Sequence, residues 1–261
     1  MIYVGTSGFR HNSWVDKIYP VSLRPTNYLK YYINNLGLSF VEITFTFHKM
    51  PYYKTIDQIA ENIGNNSLAL SIKLYKELLK ESLNEEYVRT FIDALAPLNK
   101  DNIVYVLLAD FPYSFTASRK NVETILNLKR LFEKNIFFVS LPHRSWYKER
   151  YFNLFREKNI GTIIHYIPLH SEDMTPFTPI TTNKYAYFRI YSNKFLYLQS
   201  MNKNIAFNYN TKQLKSIANE VNKLSIVTKD TFVAFCNIRD GYSVYNAQSL
   251  NKILKEYNDE P

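Results

Sequence analysis

Cysteine is nearly absent: the 261 residues hold one, Cys236, so no disulfide can form within the chain and no cysteine-based zinc cluster can assemble. It closes the run Thr231-Phe232-Val233-Ala234-Phe235-Cys236, which reads as a buried strand where cysteine packs as a small hydrophobe; a nucleophilic role is the other reading. Long apolar runs are missing too. The longest, Ile103 to Ala109, falls far short of the ~20 residues that span a bilayer. The opening Met1-Ile2-Tyr3-Val4-Gly5 lacks the basic region and long apolar stretch of a secretory leader, so a cytoplasmic protein without membrane association is expected.

Nor is there a dense basic block. The 32 Lys and Arg against 23 Asp and Glu leave a net charge of +9, spread along the chain with mild clusters at Arg119-Lys120, Lys129-Arg130 and Arg144 to Arg150. Such an excess favours acidic partners, among them nucleic acid and phosphorylated metabolites, without marking a dedicated nucleic-acid arm. Catalytic signatures are also scarce. The five histidines, His11, His48, His143, His165 and His170, show no His-Glu-x-x-His spacing, so no metal site is predicted. Gly-x-Ser-x-Gly does not occur, which removes the usual nucleophile elbow. Gly5-Thr6-Ser7-Gly8 lacks the ending of a P-loop and the spacing of a dinucleotide fingerprint, and no cofactor is indicated. Its N–H groups and hydroxyls would suit a nest for an anion; a plain turn is the other reading.

What is present is an alternation. Eight apolar runs, Ile2–Gly5, Ser39–Thr44, Leu68–Lys73, Asn102–Leu108, Ile136–Leu141, Gly161–His165, Tyr185–Ile190 and Thr231–Phe235, read as strands buried on both faces. Between them lie helical patterns at 25–35, 52–63, 84–98, 117–133, 147–158, 211–224 and 245–257. Residues 166–183, with Pro168, Pro176 and Pro179, read as a long loop replacing or shortening the helix after the sixth strand. Strand and helix in alternation predict one α/β domain over residues 1–261, a (β/α)8 TIM barrel; a doubly wound open sheet is the alternative.

Active sites of such barrels gather at the C-terminal ends of the strands. Those ends carry Thr6 and Ser7, Glu42, Lys73, Asp110, Arg144, His165, Arg189 and Asn237. Glu42 and Lys73 lie within otherwise apolar strands, where an unpaired charge is costly, so a partner is expected: each other, or Arg189 for Glu42. An ion pair that only holds register is the competing reading. His143-Arg144-Ser145-Trp146-Tyr147 combines a cation, a hydroxyl and aromatics just past the fifth strand.

These same tips carry a resemblance. Gly5-Thr6-Ser7-Gly8-Phe9 with Trp14 and Tyr19-Pro20, then Val41-Glu42-Ile43 with Thr46-Phe47 and Pro51, resemble the opening blocks of the YecE-like family, domain of unknown function 72. Lys73, Phe111-Pro112 with Phe115, Ser145-Trp146, Tyr187 with Arg189, and Asn237 with Asn246-Ala247 match later blocks in order. The resemblance implies a TIM barrel with a polar pocket at the strand tips, and no reaction. Against that pattern, Phe9 stands where Trp is usual, Thr44 where Asn is usual, His48 for Tyr and Asp110 for Gln. Ser140 and Pro142 replace a Glu-x-Arg pair, and Tyr191-Ser192 replaces His-Gly.

The expectation drawn is an enzyme, a hydrolase or lyase, acting on a small anionic or phosphate-bearing substrate. Glu42 and Lys73 would be its catalytic groups, and Thr6, Ser7, Arg144, Arg189 and Asn237 would bind the substrate. Two alternatives are a non-catalytic nucleic-acid or polyanion binder with a degenerate site, and a metal-dependent phosphoesterase or nuclease.

Overall fold

The apolar runs become parallel strands, and the amphipathic segments become the helices that return between them. The computed structural model describes residues 1–80, 85–168, 176–192 and 206–259. Its strands are β1 (Ile2–Ser7), β2 (Phe40–Ile43), β3 (Leu68–Lys73), β4 (Ile103–Asp110), β5 (Ile136–Ser140), β6 (Gly161–Thr162), β7 (Ile164–Tyr166), β8 (Tyr185–Ile190) and β9 (Asp230–Phe235). The helices are α1 (Tyr28–Leu36), α2 (Tyr53–Ile63), α3 (Glu85–Ala94), α4 (Arg119–Leu131), α5 (Glu149–Glu157), α6 (Thr211–Val227) and α7 (Tyr242–Asp259).

The sheet order is β6-β5-β4-β3-β2-β1-β9-β8-β7, and every pairing is parallel. This is the expected TIM-type barrel with its sixth strand broken in two. Gly161 and Thr162 pair with β5, whereas Ile164, His165 and Tyr166 pair with β8. The break has a side-chain cause. Thr182 Oγ1 accepts the Thr162 N–H at 2.9 Å and donates to the Ile160 carbonyl at 2.6 Å, standing where a β8 ladder partner would be. Of the long loop expected after this strand, residues 167–168 and 176–184 carry neither helix nor strand; residues 169–175, with His170, lie outside the described residues.

Two apolar cores result. One lies between strands and helices. The other fills the barrel interior with Tyr3, Phe40, Val106, Leu108, Phe138, Tyr187 and Phe232, each at most 4% exposed. The two meet across β1. Gly5 there has no room for a side chain, since a Cβ would lie 1.7 Å from the Phe40 carbonyl oxygen. Into that space reaches Tyr32 of α1, fully buried, whose hydroxyl donates to Phe40 O at 2.8 Å and accepts from Thr6 N at 3.1 Å. Tyr32→Phe strands a buried backbone N–H, so it should destabilise the fold by about 1–3 kcal/mol. Urea unfolding should show this as a lowered midpoint with unchanged slope; an unaltered midpoint would mean that the hydroxyl is dispensable.

Candidate functional site

Side chains alternate across a strand, so each inward series can be followed from core to rim. Phe40 leads to Glu42, Leu108 to Asp110, Phe138 to Ser140, Ile163 to His165, Tyr187 to Arg189 and Ala234 to Cys236. Each series changes from apolar to polar or ionisable at about the same height. The charged members pair there. Arg189 Nε lies 2.9 Å from Glu42 Oε1 and its Nη1 3.1 Å from Asp110 Oδ1, with guanidinium and both carboxylates at most 6% exposed. Lys73 Nζ donates to Asp110 Oδ2 at 2.7 Å. Lys73 therefore pairs with Asp110 rather than with Glu42. The Glu42 carboxylate is instead saturated by the hydroxyls of Ser7 and Tyr187 and by Arg189.

Above this set opens a cavity of about 250 Å³. Its floor is Ser7, Lys73, Asp110, Ser140, Arg189 and Cys236, and its walls are Phe47, His48, Phe111, Pro142, Tyr191 and Ile238. Glu42, with 0% exposure, lies beneath the floor and does not line it. Ser7 is the link between them.

Electrostatics set the protonation states. Burial would raise the Asp110 carboxyl, but Arg189 and Lys73, with hydrogen bonds from Lys73 and Ser140, hold it well below the ordinary carboxylate range. Burial opposes the charge on Arg189, and Asp110 and Glu42 more than restore it. Burial pushes the Cys236 thiol up to about 12, so it stays protonated at neutral pH and is no ready nucleophile. His165 is driven down to about 3, first by burial and then by the Arg189 charge, against a smaller pull from Asp110. Arg189 also lies 5.4 Å over the Tyr191 ring, a cation–π contact on the cavity side.

Of the residues singled out in the sequence, Ser7, Glu42, Lys73 and Arg189 come together. Thr6, Arg144 and Asn237 stand outside the cavity lining. Thr6 points outward to Tyr32, its Oγ1 2.9 Å from the tyrosine hydroxyl. With Thr6 N bonded to Tyr32 and Gly8 N to Glu42 O at 3.0 Å, the Gly5–Gly8 turn presents no open nest from those groups. Asn237 Nδ2 donates to Asn246 Oδ1 at 2.7 Å and to Phe207 O at 2.8 Å, tying β9 to α7. Arg144 is exposed on a 3₁₀ turn. The aromatic beside it is structural: Trp146 is 2% exposed, stacks on Phe115 and donates to Phe115 O at 2.7 Å. Asp110, noted at the rim but given no role, is the second counter-charge. The resemblance alone singles out Tyr187 and Ser140, although period-two alternation from the core puts both on the inner face.

Among the described residues, no three His, Cys, Asp or Glu side chains gather as a metal site requires. No helix among them is long and apolar enough to cross a membrane.

The chain matches the family described as Protein of unknown function DUF72 over residues 3–261, and it belongs to that family. The solved structure of a DUF72 family protein from Thermotoga maritima is 29% identical, with a TM-score of 0.84, covering 98% of this chain and 99% of that one. A DUF72 family protein from Enterococcus faecalis is 21% identical, TM-score 0.81, with 98% of each chain covered. D-psicose 3-epimerase from Clostridium cellulolyticum shares the barrel alone, at 13% identity and a TM-score of 0.52 over 87% of this chain and 92% of that one. None of the curated proteins matches the chain.

Two outcomes follow from the buried charges. Arg189→Met leaves two carboxylates without their shared partner and should destabilise the protein by about 3–5 kcal/mol at pH 7. The deficit should shrink on acidification, because the freed carboxylates can then take up protons; a pH-independent deficit in urea titrations would contradict the pairing. His165 adds a second pH-dependent contribution of the same sign. Its folded pKa lies below the unfolded value of about 6.5, so the unfolded chain binds the extra proton. The stability this confers is complete above pH 6.5 and is lost as pH falls toward 3. His165→Asn should flatten the stability–pH slope between those limits by up to about 1.4 kcal/mol per pH unit. Parallel slopes for the two proteins would show that His165 does not titrate this way.

Proposed function

We propose that this member of the DUF72 family is an enzyme acting on a small anionic substrate held in the strand-tip cavity. The observation that carries the reading is an imbalance of hydrogen-bonding capacity on the cavity floor. Both Asp110 oxygens are engaged, Oδ1 by Arg189 and Oδ2 by Lys73. The guanidinium has five N–H donors and the ammonium three, more than their carboxylate contacts use. With Glu42 beneath it the floor is neutral in charge but rich in donors, and its complement is a strong acceptor such as a carboxylate or phosphate oxygen. At about 250 Å³ the cavity lies just below the usual range of small-molecule sites, which suits a small substrate.

In this reading Lys73 and Arg189 hold the anion. Glu42 is the base acting through Ser7: the Ser7 oxygen takes a proton from the substrate as its own hydroxyl proton passes to Glu42 Oε2. The +9 net charge lies elsewhere, since Glu42, Asp110, Lys73 and Arg189 sum to zero. A polyanion would therefore engage surface lysines rather than this floor.

The test is thermal unfolding in the presence of two- to four-carbon carboxylates and phosphate monoesters at low and moderate salt. A ligand at a hundred times its dissociation constant adds about 2.7 kcal/mol, or roughly 5 °C in Tm for a chain of this length. At least one compound should give such a shift at moderate salt, and Lys73→Met should abolish it. No shift across the panel, or a shift that Lys73→Met leaves intact, would overturn the reading.

A further inference from the structure

A second space lies on the other side of β2. Glu42 faces the barrel interior, and its neighbour Ile43 faces outward into a cleft of about 630 Å³ between the turn after β1 and helices α1 and α2. That volume falls within the range of small-molecule sites, whereas the inner cavity is smaller.

The cleft is shaped in advance. Three hydrogen bonds fix the turn that forms its wall: Gly8 N to Glu42 O at 3.0 Å, Tyr19 Oη to Phe9 O at 2.6 Å, and His11 Nε2 with Ser7 O at 3.0 Å. Gly8 has φ +85°, and a Cβ there would lie 2.7 Å from His11 Nε2, so this path belongs to glycine. Its chemistry differs from that of the inner cavity. Phe9, partly buried, and Phe45, 37% exposed, give it apolar surface, and the buried Leu29, Ile43 and Ile59 close its base. Thr55, Gln58 and Asn62 of α2 add neutral polar groups. Two charged residues line it, Arg10 and Glu42, and the Glu42 carboxylate is turned inward onto Arg189. Arg10 is exposed and forms no ion pair among the described residues. Burial moreover lowers the His11 pKa, against its bond to Ser7 O, favouring the neutral ring in the wall.

We propose that this cleft is a second binding site, for a ring-bearing monoanion: a flat apolar body against the rings of Phe9 and Phe45, with its single negative charge on Arg10. A neutral apolar molecule would leave Arg10 unused. A highly charged one would leave its remaining charges against apolar or uncharged groups. The site is independent of the inner cavity's donors, because β2 separates the two.

The probe is 2-naphthoate, followed by ligand-observed NMR and by its fluorescence, with neutral 2-naphthalenemethanol for comparison. The wild-type protein should bind 2-naphthoate saturably at one site. Arg10→Ala should weaken it about tenfold, the scale of one lost charge-assisted hydrogen bond. Gln58→Trp, which fills the cleft from an exposed position of α2, should abolish binding. Lys73→Met should bind 2-naphthoate like the wild type, and the neutral alcohol should not distinguish Arg10→Ala from it. The proposal is overturned by absence of saturable binding, by equal affinity in wild type, Arg10→Ala and Gln58→Trp, or by loss in Lys73→Met with retention in Arg10→Ala. The last result would put the probe in the inner cavity and leave the function proposed for that cavity standing.

Discussion

Arg189 reaches inward from β8 with Glu42 of β2 and Asp110 of β4 on its edges, and the upper half of the barrel is arranged around that contact. A buried guanidinium without counter-charge is untenable, and so is a buried carboxylate. Each of the three makes the other two possible. The space they occupy is supplied by small neighbours, Ser7, Ser71, Ser140 and Cys236, at inner-face positions where lower layers carry Phe and Tyr. Register follows from the same contact. A slip of one residue in β2, β4 or β8 would turn its charge out of the interior, leaving the partners unmatched, so the ion pairs specify alignment that apolar packing alone tolerates losing more readily.

The departures from the family pattern implied by the sequence resemblance gain a physical order here. Ser140 and Pro142 stand where the resemblance implies a Glu and an Arg, and Asp110 where it implies Gln. Asp110 and Ser140 are register partners on adjacent strands. The carboxylate thus stands one strand over, at the same height, with Ser140 hydrogen-bonded to it. Glu42, Asp110, Lys73 and Arg189 balance in charge.

How much of this was legible in the sequence depended on period. The eight strand runs and the helices between them were readable because burial on both faces makes a strand almost continuously apolar and the returns carry a 3–4 spacing. Ser7, Glu42, Lys73 and Arg189 were visible as polar residues where apolar ones belong. Thr6 and Asn237 were not separable by proximity to a strand end, because facing inward or outward is a matter of parity. Counted from Tyr3, Thr6 falls on the outer face, and counted from Ala234, so does Asn237. The same count places Asp110 and Tyr187 inside. The break at Ile163 had no local sign, since it arises from the Thr182 hydroxyl, twenty residues beyond Thr162.

A network that only fixed register would be expected to close over itself, and part of this one does. Glu42 has no exposure and its donors surround it. Lys73 and Asp110 behave differently. The Lys73 side chain is 14% exposed, and both line the cavity. Apolar residues of similar volume would hold the strands at comparable or better stability than buried ion pairs do. They would also remove the cavity's polar floor. Pinning strands therefore accounts for Glu42 and Arg189 but not for a lysine at the cavity boundary that pairs with Asp110 and lies 5.9 Å from the centre of the Phe47 ring. Viewed from the cavity, the contacts run in sequence: Arg189 holds Asp110, and Asp110 holds Lys73 at the lining.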